Sequence, residues 1–259
     1  MRLDYEDDGP GPVVVLLHGF PFDRSMWSNQ QSSLGSVYRV ISPDLRGHGS
    51  SAAPDGVYPI DVMADDVIET LDSLQLTQPV VFGGLSMGGY LALSIVTRHP
   101  SRVRGLILMN TRASADSSEA AQIREKLALQ LESDGKVEAL IAGMIPKLFS
   151  RKTFAQNPEL VARLHQRMIK TPVRALIGTL RGLASRPDRT SKLPEISVPT
   201  LVIAGLEDQL IPLEETKAMA HLIPDARLVT VPDSGHLAPL ENPHPTDQAI
   251  LEFLSGIGY

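Results

Sequence analysis

The stretch Gly84-Leu85-Ser86-Met87-Gly88-Gly89 sets the tightest limit on how this chain can fold. It follows the apolar run Pro79-Val80-Val81-Phe82-Gly83 and precedes a helical pattern from Met87 to Arg98. G-x-S-x-G in that position reads as a sharp strand-to-helix turn with a serine at its apex. Such a turn holds the serine backbone in a strained conformation. The residues two before and two after the serine then pass so close that only glycine fits at each. The hydroxyl stands clear of the chain, and the first amides of the helix point at the same spot. The string alone also fits a glycine-rich turn that merely packs tightly, so the loops elsewhere must decide what the serine does.

The chain around this turn alternates short apolar strands with helices. Val13–Leu17 is continuously apolar, as expected of a parallel strand covered on both faces. A helix around Ser25–Ser33 and a strand over Tyr38–Ser42 follow. An amphipathic helix then carries Ile60, Met63, Ala64, Val67, Ile68, Leu71 and Leu74 at helical spacing. Further strands read at Val103–Met109, Thr200–Gly205 and Arg227–Val231, with helices at Leu213–Leu222 and about Thr246–Ser255. This is the pattern of an α/β protein with a mostly parallel, doubly wound sheet. Only Arg2–Glu6 precedes the Gly9-Pro10-Gly11-Pro12 turn, so the opening edge of the sheet is expected to be short.

Between Thr111 and Arg189 no strand is evident. Four helical patterns succeed one another, at about Ser118–Ser133, Lys136–Ile145, Pro158–Ile169 and Pro172–Ala184. Asn157-Pro158 and Thr171-Pro172 each read as an N-cap followed by proline at the first helical position. The expected organisation is a core formed by residues 1–110 and 190–259, with residues 111–189 inserted as an all-helical cap.

A serine hydroxyl is a poor nucleophile without a base beside it, and the base needs an acid to fix its tautomer. In parallel sheets such groups collect on loops after the carboxyl ends of strands. The loop after Thr200–Gly205 offers Glu207 and Asp208; the loop after Arg227–Val231 offers Asp233 and His236. Serine, acid, histidine is the order expected with the nucleophile on such a turn. His236 is the candidate base and Asp208 the favoured acid, with Glu207 and Asp233 as competitors; Asn110 occupies another loop where an acid can sit. His99, His165, His221 and His244 look like solvated or helix-end residues, and His18 and His48 come too early in the chain. Two amides are needed for the oxyanion, and Met87 and Phe20 are the candidates. His18 is read as a brace for its loop, and Asp44, Arg46 and His48 as a loop-fixing network.

Composition narrows the alternatives. There is no cysteine among 259 residues, which removes disulfides, thiolate metal sites and cysteine nucleophiles together. The net charge of −6 with no basic run speaks against nucleic acid or an anionic membrane as partner. The start Met1–Asp8 has no apolar signal core, and no segment approaches the roughly 18 apolar residues of a membrane span. A soluble cytoplasmic protein, monomeric or a small homo-oligomer, without metal or cofactor, is the expectation.

His18-Gly19-Phe20-Pro21, Pro43-Asp44-Leu45-Arg46-Gly47-His48-Gly49, Gly84–Gly89, Asp208 and Ser234-Gly235-His236 together resemble the α/β-hydrolase superfamily across nearly the whole chain. Within it, Phe20–Trp27 and Gly84–Tyr90 are most similar to microbial carboxylesterases and 3-oxoadipate enol-lactonases. Asn110–Ser117 and Met144–Leu148 resemble carboxylesterases of planctomycete bacteria. The resemblance implies cofactor-free hydrolysis of short acyl esters through Ser86, His236 and Asp208. Lactonase, C–C hydrolase, thioesterase and perhydrolase chemistry on the same residues are the alternatives, and a non-catalytic binding module is the remaining one. Trp27 is the only tryptophan, so the cap lacks the one an enol-lactonase would carry. The acyl pocket is expected to draw on Met144, Ile145, Leu148, Phe149, Leu176 and Leu180; Arg151, Arg174 and Arg181 are the cap arginines that could meet a carboxylate.

Overall fold

The computed structural model describes all residues, Met1–Tyr259. Seven strands form one sheet: β1 (Tyr5–Asp8), β2 (Val13–Leu17), β3 (Arg39–Pro43), β4 (Val80–Leu85), β5 (Val103–Met109), β6 (Thr200–Gly205) and β7 (Ala226–Val231). Their order across the sheet is β1-β3-β2-β4-β5-β6-β7, and only the edge strand β1 runs antiparallel, against β3. The short opening segment before the Gly/Pro turn thus supplies a single edge strand.

The helices are α1 (Ser28–Leu34), α2 (Ile60–Ser73), α3 (Met87–Arg98), α4 (Ser118–Asp134), α5 (Val137–Leu148), α6 (Arg151–Gln156), α7 (Pro158–Met168), α8 (Val173–Ala184), α9 (Leu213–Leu222), α10 (Ala238–Glu241) and α11 (Pro243–Gly256). Strand residues alternate between two apolar layers, because successive side chains leave opposite faces of a sheet. Val13, Val15, Leu17, Phe82, Leu106, Leu108 and Val202 join α2, α3 and α9 on one face. Val14, Leu16, Val81, Ile107, Met109, Leu201 and Ile203 join α1, α11 and the inserted helices on the other. Burial on both sides explains why the central strands read as unbroken apolar runs.

Five helices, α4 to α8, lie between β5 and β6, where sequence periodicity gives four. The additional one, α6, is only six residues long, too short for a period to register. Ser150 caps it by accepting from the Thr153 amide. Asn157 caps α7 as expected, accepting from Leu160 N. Thr171 does not cap α8: Pro172 holds the N-cap position, and the Thr171 hydroxyl donates to Pro21 O at 3.1 Å. That bond ties the start of α8 to the loop after β2. The helix expected around Ser25–Ser33 is split into a 3-10 turn, Arg24–Trp27, and α1. No helix is long and apolar enough to cross a membrane.

His18 and His48 are fully buried near the end of β2, with ring centroids 5.2 Å apart. His18 bonds the Gly19 carbonyl through Nδ1 and accepts from Leu45 N at 2.9 Å through Nε2. His18 therefore braces the loop that carries Phe20. Burial pushes His18 down to about 4, against the hydrogen bond that its Nδ1 donates to the Gly19 carbonyl. Burial, reinforced by His18, pushes His48 down to about 3. Unfolded histidine titrates near pH 6.5. Below that pH the unfolded chain binds protons on both rings that the folded chain refuses. Stability is complete above pH 6.5 and falls as pH drops toward 4, with a limiting slope of about 1.4 kcal/mol per pH unit for each ring. Denaturant titrations at constant ionic strength should show a lower unfolding free energy at pH 5 than at pH 7. An unchanged value would contradict neutral, buried rings.

Candidate active site

Ser86 sits between β4 and α3 with φ +53° and ψ −110°, a backbone conformation that L side chains rarely adopt. Three hydrogen bonds hold it there. Its amide donates to Met109 O at 2.9 Å, and its carbonyl accepts from Tyr90 N at 3.1 Å and Thr111 Oγ1 at 2.9 Å. The two glycines are required by contact. A Cβ on Gly84 would lie 2.2 Å from the carbonyl of Gly88, and one on Gly88 would lie 2.0 Å from Leu17 O. No ordinary side chain survives either distance, so the turn fixes both neighbours of the serine.

The Ser86 side chain opens onto a cavity of about 540 Å³ whose wall also includes Phe20, Met87 and His236. Met87 is the first residue of α3, where an amide has no partner within the helix. The Phe20 amide has no backbone partner. Both candidate oxyanion donors therefore border the serine. The Ser86 hydroxyl makes no hydrogen bond within the protein, as is common before substrate binds.

His236 reaches the same cavity from the loop after β7, and its Nδ1 lies 2.8 Å from Asp208 Oδ2. Both side chains are buried. Asp208 also accepts Asn110 Nδ2 on Oδ2 at 2.9 Å, and the amides of Leu210 and Ile211 on Oδ1 at 2.8 and 3.0 Å. Burial opposes a charge on Asp208, but the adjacent His236 and these donors outweigh it and hold its carboxyl below the usual range. The competing acids are engaged elsewhere. Glu207 accepts from the Arg151 amide, and Asp233 pairs with Lys152 at 2.6 Å. No group of three His, Asp or Glu side chains is placed to hold a metal ion.

The family model of the alpha/beta hydrolase fold matches residues 12–243. The chain belongs to this family. A 3-oxoadipate enol-lactonase of Acinetobacter baylyi is 30% identical over 98% of this chain and 94% of its own length. Among solved structures, a thermophilic esterase from Thermogutta terrifontis, with malate bound, is 42% identical with a TM-score of 0.97, covering 99% of this chain and 94% of that one. The enol-lactonase of Burkholderia xenovorans is 30% identical with a TM-score of 0.91, covering 98% and 96%.

In this hydrolase the inserted helices close over the cavity mainly through α4, α5 and α8. Met144, Leu148 and Leu180 line it. Ile145, Phe149 and Leu176 do not. Phe149 packs edge-on against Phe154 with centroids 5.6 Å apart. Leu176 is fully buried, and Ile145 packs against the same apolar layer beside the sheet. Ile145 and Leu176 are helical residues packed in that layer, and Phe149 lies just past the end of α5. Arg151 and Arg174 are exposed away from the cavity, and Arg181 is taken by Glu125 and Glu132 at 2.8 and 2.6 Å.

Residues without a sequence signal complete the site. Tyr90, Arg112, Asp116, Arg124 and Lys147 line the cavity. Arg112 and Asp116 follow β5 at i, i+4 spacing, on an edge loop otherwise inspected only for an acid. Glu241 brackets the candidate base: its Oε1 accepts from Gly235 N at 2.8 Å and Leu237 N at 3.2 Å. Its Oε2 accepts from Ser150 N and Thr153 Oγ1 at the start of α6. One carboxylate thus ties the His236 loop to the inserted helices.

Proposed function

We propose that this hydrolase is a serine carboxylesterase that cleaves short-chain acyl esters through an acyl-enzyme. The observation that carries the reading is the cavity shared by the strained Ser86 and by His236, whose Nδ1 is bonded to Asp208. In this mechanism Ser86 Oγ attacks the ester carbonyl as His236 Nε2 takes its proton. The oxyanion is held by the amides of Phe20 and Met87. His236 returns the proton to the departing alcohol, and a water that it then activates releases the acid. Asp208 fixes the His236 tautomer and stabilises its charged form. Residues 111–189 serve as the cap that shapes the acyl pocket, with Met144, Leu148 and Leu180 in its wall.

A fluorophosphonate probe should label wild-type protein on Ser86 and leave Ser86→Ala unlabelled. Labelling at another residue, or none, would remove the reading. Similarity to two enol-lactonases favours a lactonase on the same residues as the second reading. Turnover of lactones far above open-chain acyl esters would decide for it.

A further inference from the structure

One end of the apolar cavity carries charge that ester hydrolysis itself does not use. Arg112, Asp116 and Arg124, joined by ion pairs, line this end; the exposed Lys147 is a further cation in the cavity wall. Asp116 is fully covered and is the pivot of the group. Its carboxylate meets Arg112 at 3.2 Å, Arg124 at 2.5 Å and Arg186 at 2.6 Å. Burial opposes its charge, yet Arg124 and Arg186 outweigh this and hold it below the usual carboxylate range. Glu215 adds one more carboxylate, 3.2 Å from Arg112.

Three guanidiniums pair directly with two carboxylates, Asp116 and Glu215, and Asp188 acts on Arg186 from farther off. What is in surplus is donor capacity. Arg186 engages Asp116 and the Ser114 and Leu183 carbonyls through its terminal nitrogens and lies 4.3 Å from the Tyr90 ring centre. Arg112 and Arg186 each keep an enclosed Nε with no partner. Arg124 uses only Nε, on Asp116, so both of its terminal nitrogens are uncommitted. A guanidinium anchored through Nε presents its two terminal nitrogens in a fixed plane, the geometry that receives a carboxylate end-on.

We propose that this end of the cavity is an anion subsite, formed by Arg124 and Arg112 on the Asp116 pivot, that selects esters bearing a second, free carboxylate. The preferred substrates are then half-esters or acyloxy acids, with the scissile ester at Ser86 and the carboxylate at Arg124. The subsite draws on the esterase reading for turnover, but not for binding.

Two pairs of substrates test it and locate the carboxylate. Methyl hydrogen glutarate, charged on the acyl side, is compared with methyl 5-methylhexanoate. 4-Acetoxybutanoate, charged on the alcohol side, is compared with 4-methylpentyl acetate. Each neutral ester replaces the carboxylate by a group of the same shape. At least one charged ester should exceed its neutral mate at least about ten-fold in kcat/KM, mainly through KM. That ratio should shrink as salt is added, because screening weakens the charge contact. It should collapse in Arg124→Gln and be partly kept in Arg124→Lys. Independently of turnover, glutarate should bind Ser86→Ala measurably more tightly by calorimetry than it binds Ser86→Ala carrying Arg124→Gln. Neutral esters matching or exceeding both charged ones, or a ratio untouched by Arg124→Gln, would overturn the subsite while leaving the esterase intact. Failure to hydrolyse any of the four esters would remove the esterase reading, and glutarate binding would still decide the subsite.

Discussion

Ser86→Ala is expected to lower kcat for ester hydrolysis by about 10⁴-fold or more while the protein stays folded. The substitution removes one oxygen from a side chain that faces the cavity and has no hydrogen bond inside the protein. Alanine keeps the same positive φ of 53°, so the backbone strain of the turn is neither relieved nor increased. The unfolding free energy should therefore stay within roughly 1 kcal/mol of wild type. What is lost is the nucleophile itself. The amides of Phe20 and Met87 and the pocket wall remain, so a residual rate above water is expected from them alone. Steady-state rates on an activated short acyl ester, with denaturation curves on the same samples, make the measurement. Turnover within ten-fold of wild type would show that another group attacks the ester.

The turn at Ser86 was legible because close backbone approach on both sides of the serine leaves a fixed glycine spacing. Gly84 is dictated by Gly88 within the turn, and Gly88 by Leu17 O on the neighbouring strand. The strands at Val103–Met109 and Thr200–Gly205 were legible because they are buried almost throughout, and Pro199 and Gly205 mark the ends of the second. Asp208 and His236 could be found because strand ends are visible and few acids and histidines follow them. The charged end of the cavity was not legible. Arg112 and Asp116 stand in a loop, Arg124 in a helix and Arg186 just past one, and by spacing alone each looks like a solvated charge. Only their mutual pairing lets them be buried, and that pairing spans 70 positions between Asp116 and Arg186. Burial of a charge depends on a partner far along the chain, which periodicity does not report. The pocket-facing side of the inserted helices was partly hidden too. Leu148 and Phe149 are adjacent and both apolar, yet one meets the cavity and the other packs on Phe154. The helix ends between them: Leu148 is the last residue of α5, and Phe149 is extended, which turns its ring away.

Asp208→Asn is expected to lower kcat by about 10³–10⁴-fold with little change in KM. The environment of the carboxylate explains the size of the loss. Every neighbour that touches it is a donor: His236 Nδ1 and Asn110 Nδ2 reach Oδ2, and the Leu210 and Ile211 amides reach Oδ1. An asparagine can present only one acceptor atom here. If its oxygen stays with the two backbone amides, which cannot move, its NH₂ group faces His236 and Asn110. His236 must then offer a lone pair on Nδ1, which moves its proton to Nε2, the nitrogen that should take the proton from Ser86. The base is present but in the wrong tautomer. If the amide flips, its NH₂ faces the two backbone N–H groups instead, and leaving those donors unpaired costs about 1–3 kcal/mol of stability. The loss in kcat should persist across the pH range where wild type is active, because tautomer rather than protonation is at fault. Asp208→Glu does not restore the geometry, since a longer side chain cannot keep both oxygens on their donors. A rate for Asp208→Asn within ten-fold of wild type would mean that another carboxylate orients His236, and Glu241, which brackets His236 through its flanking amides, would be the first to replace.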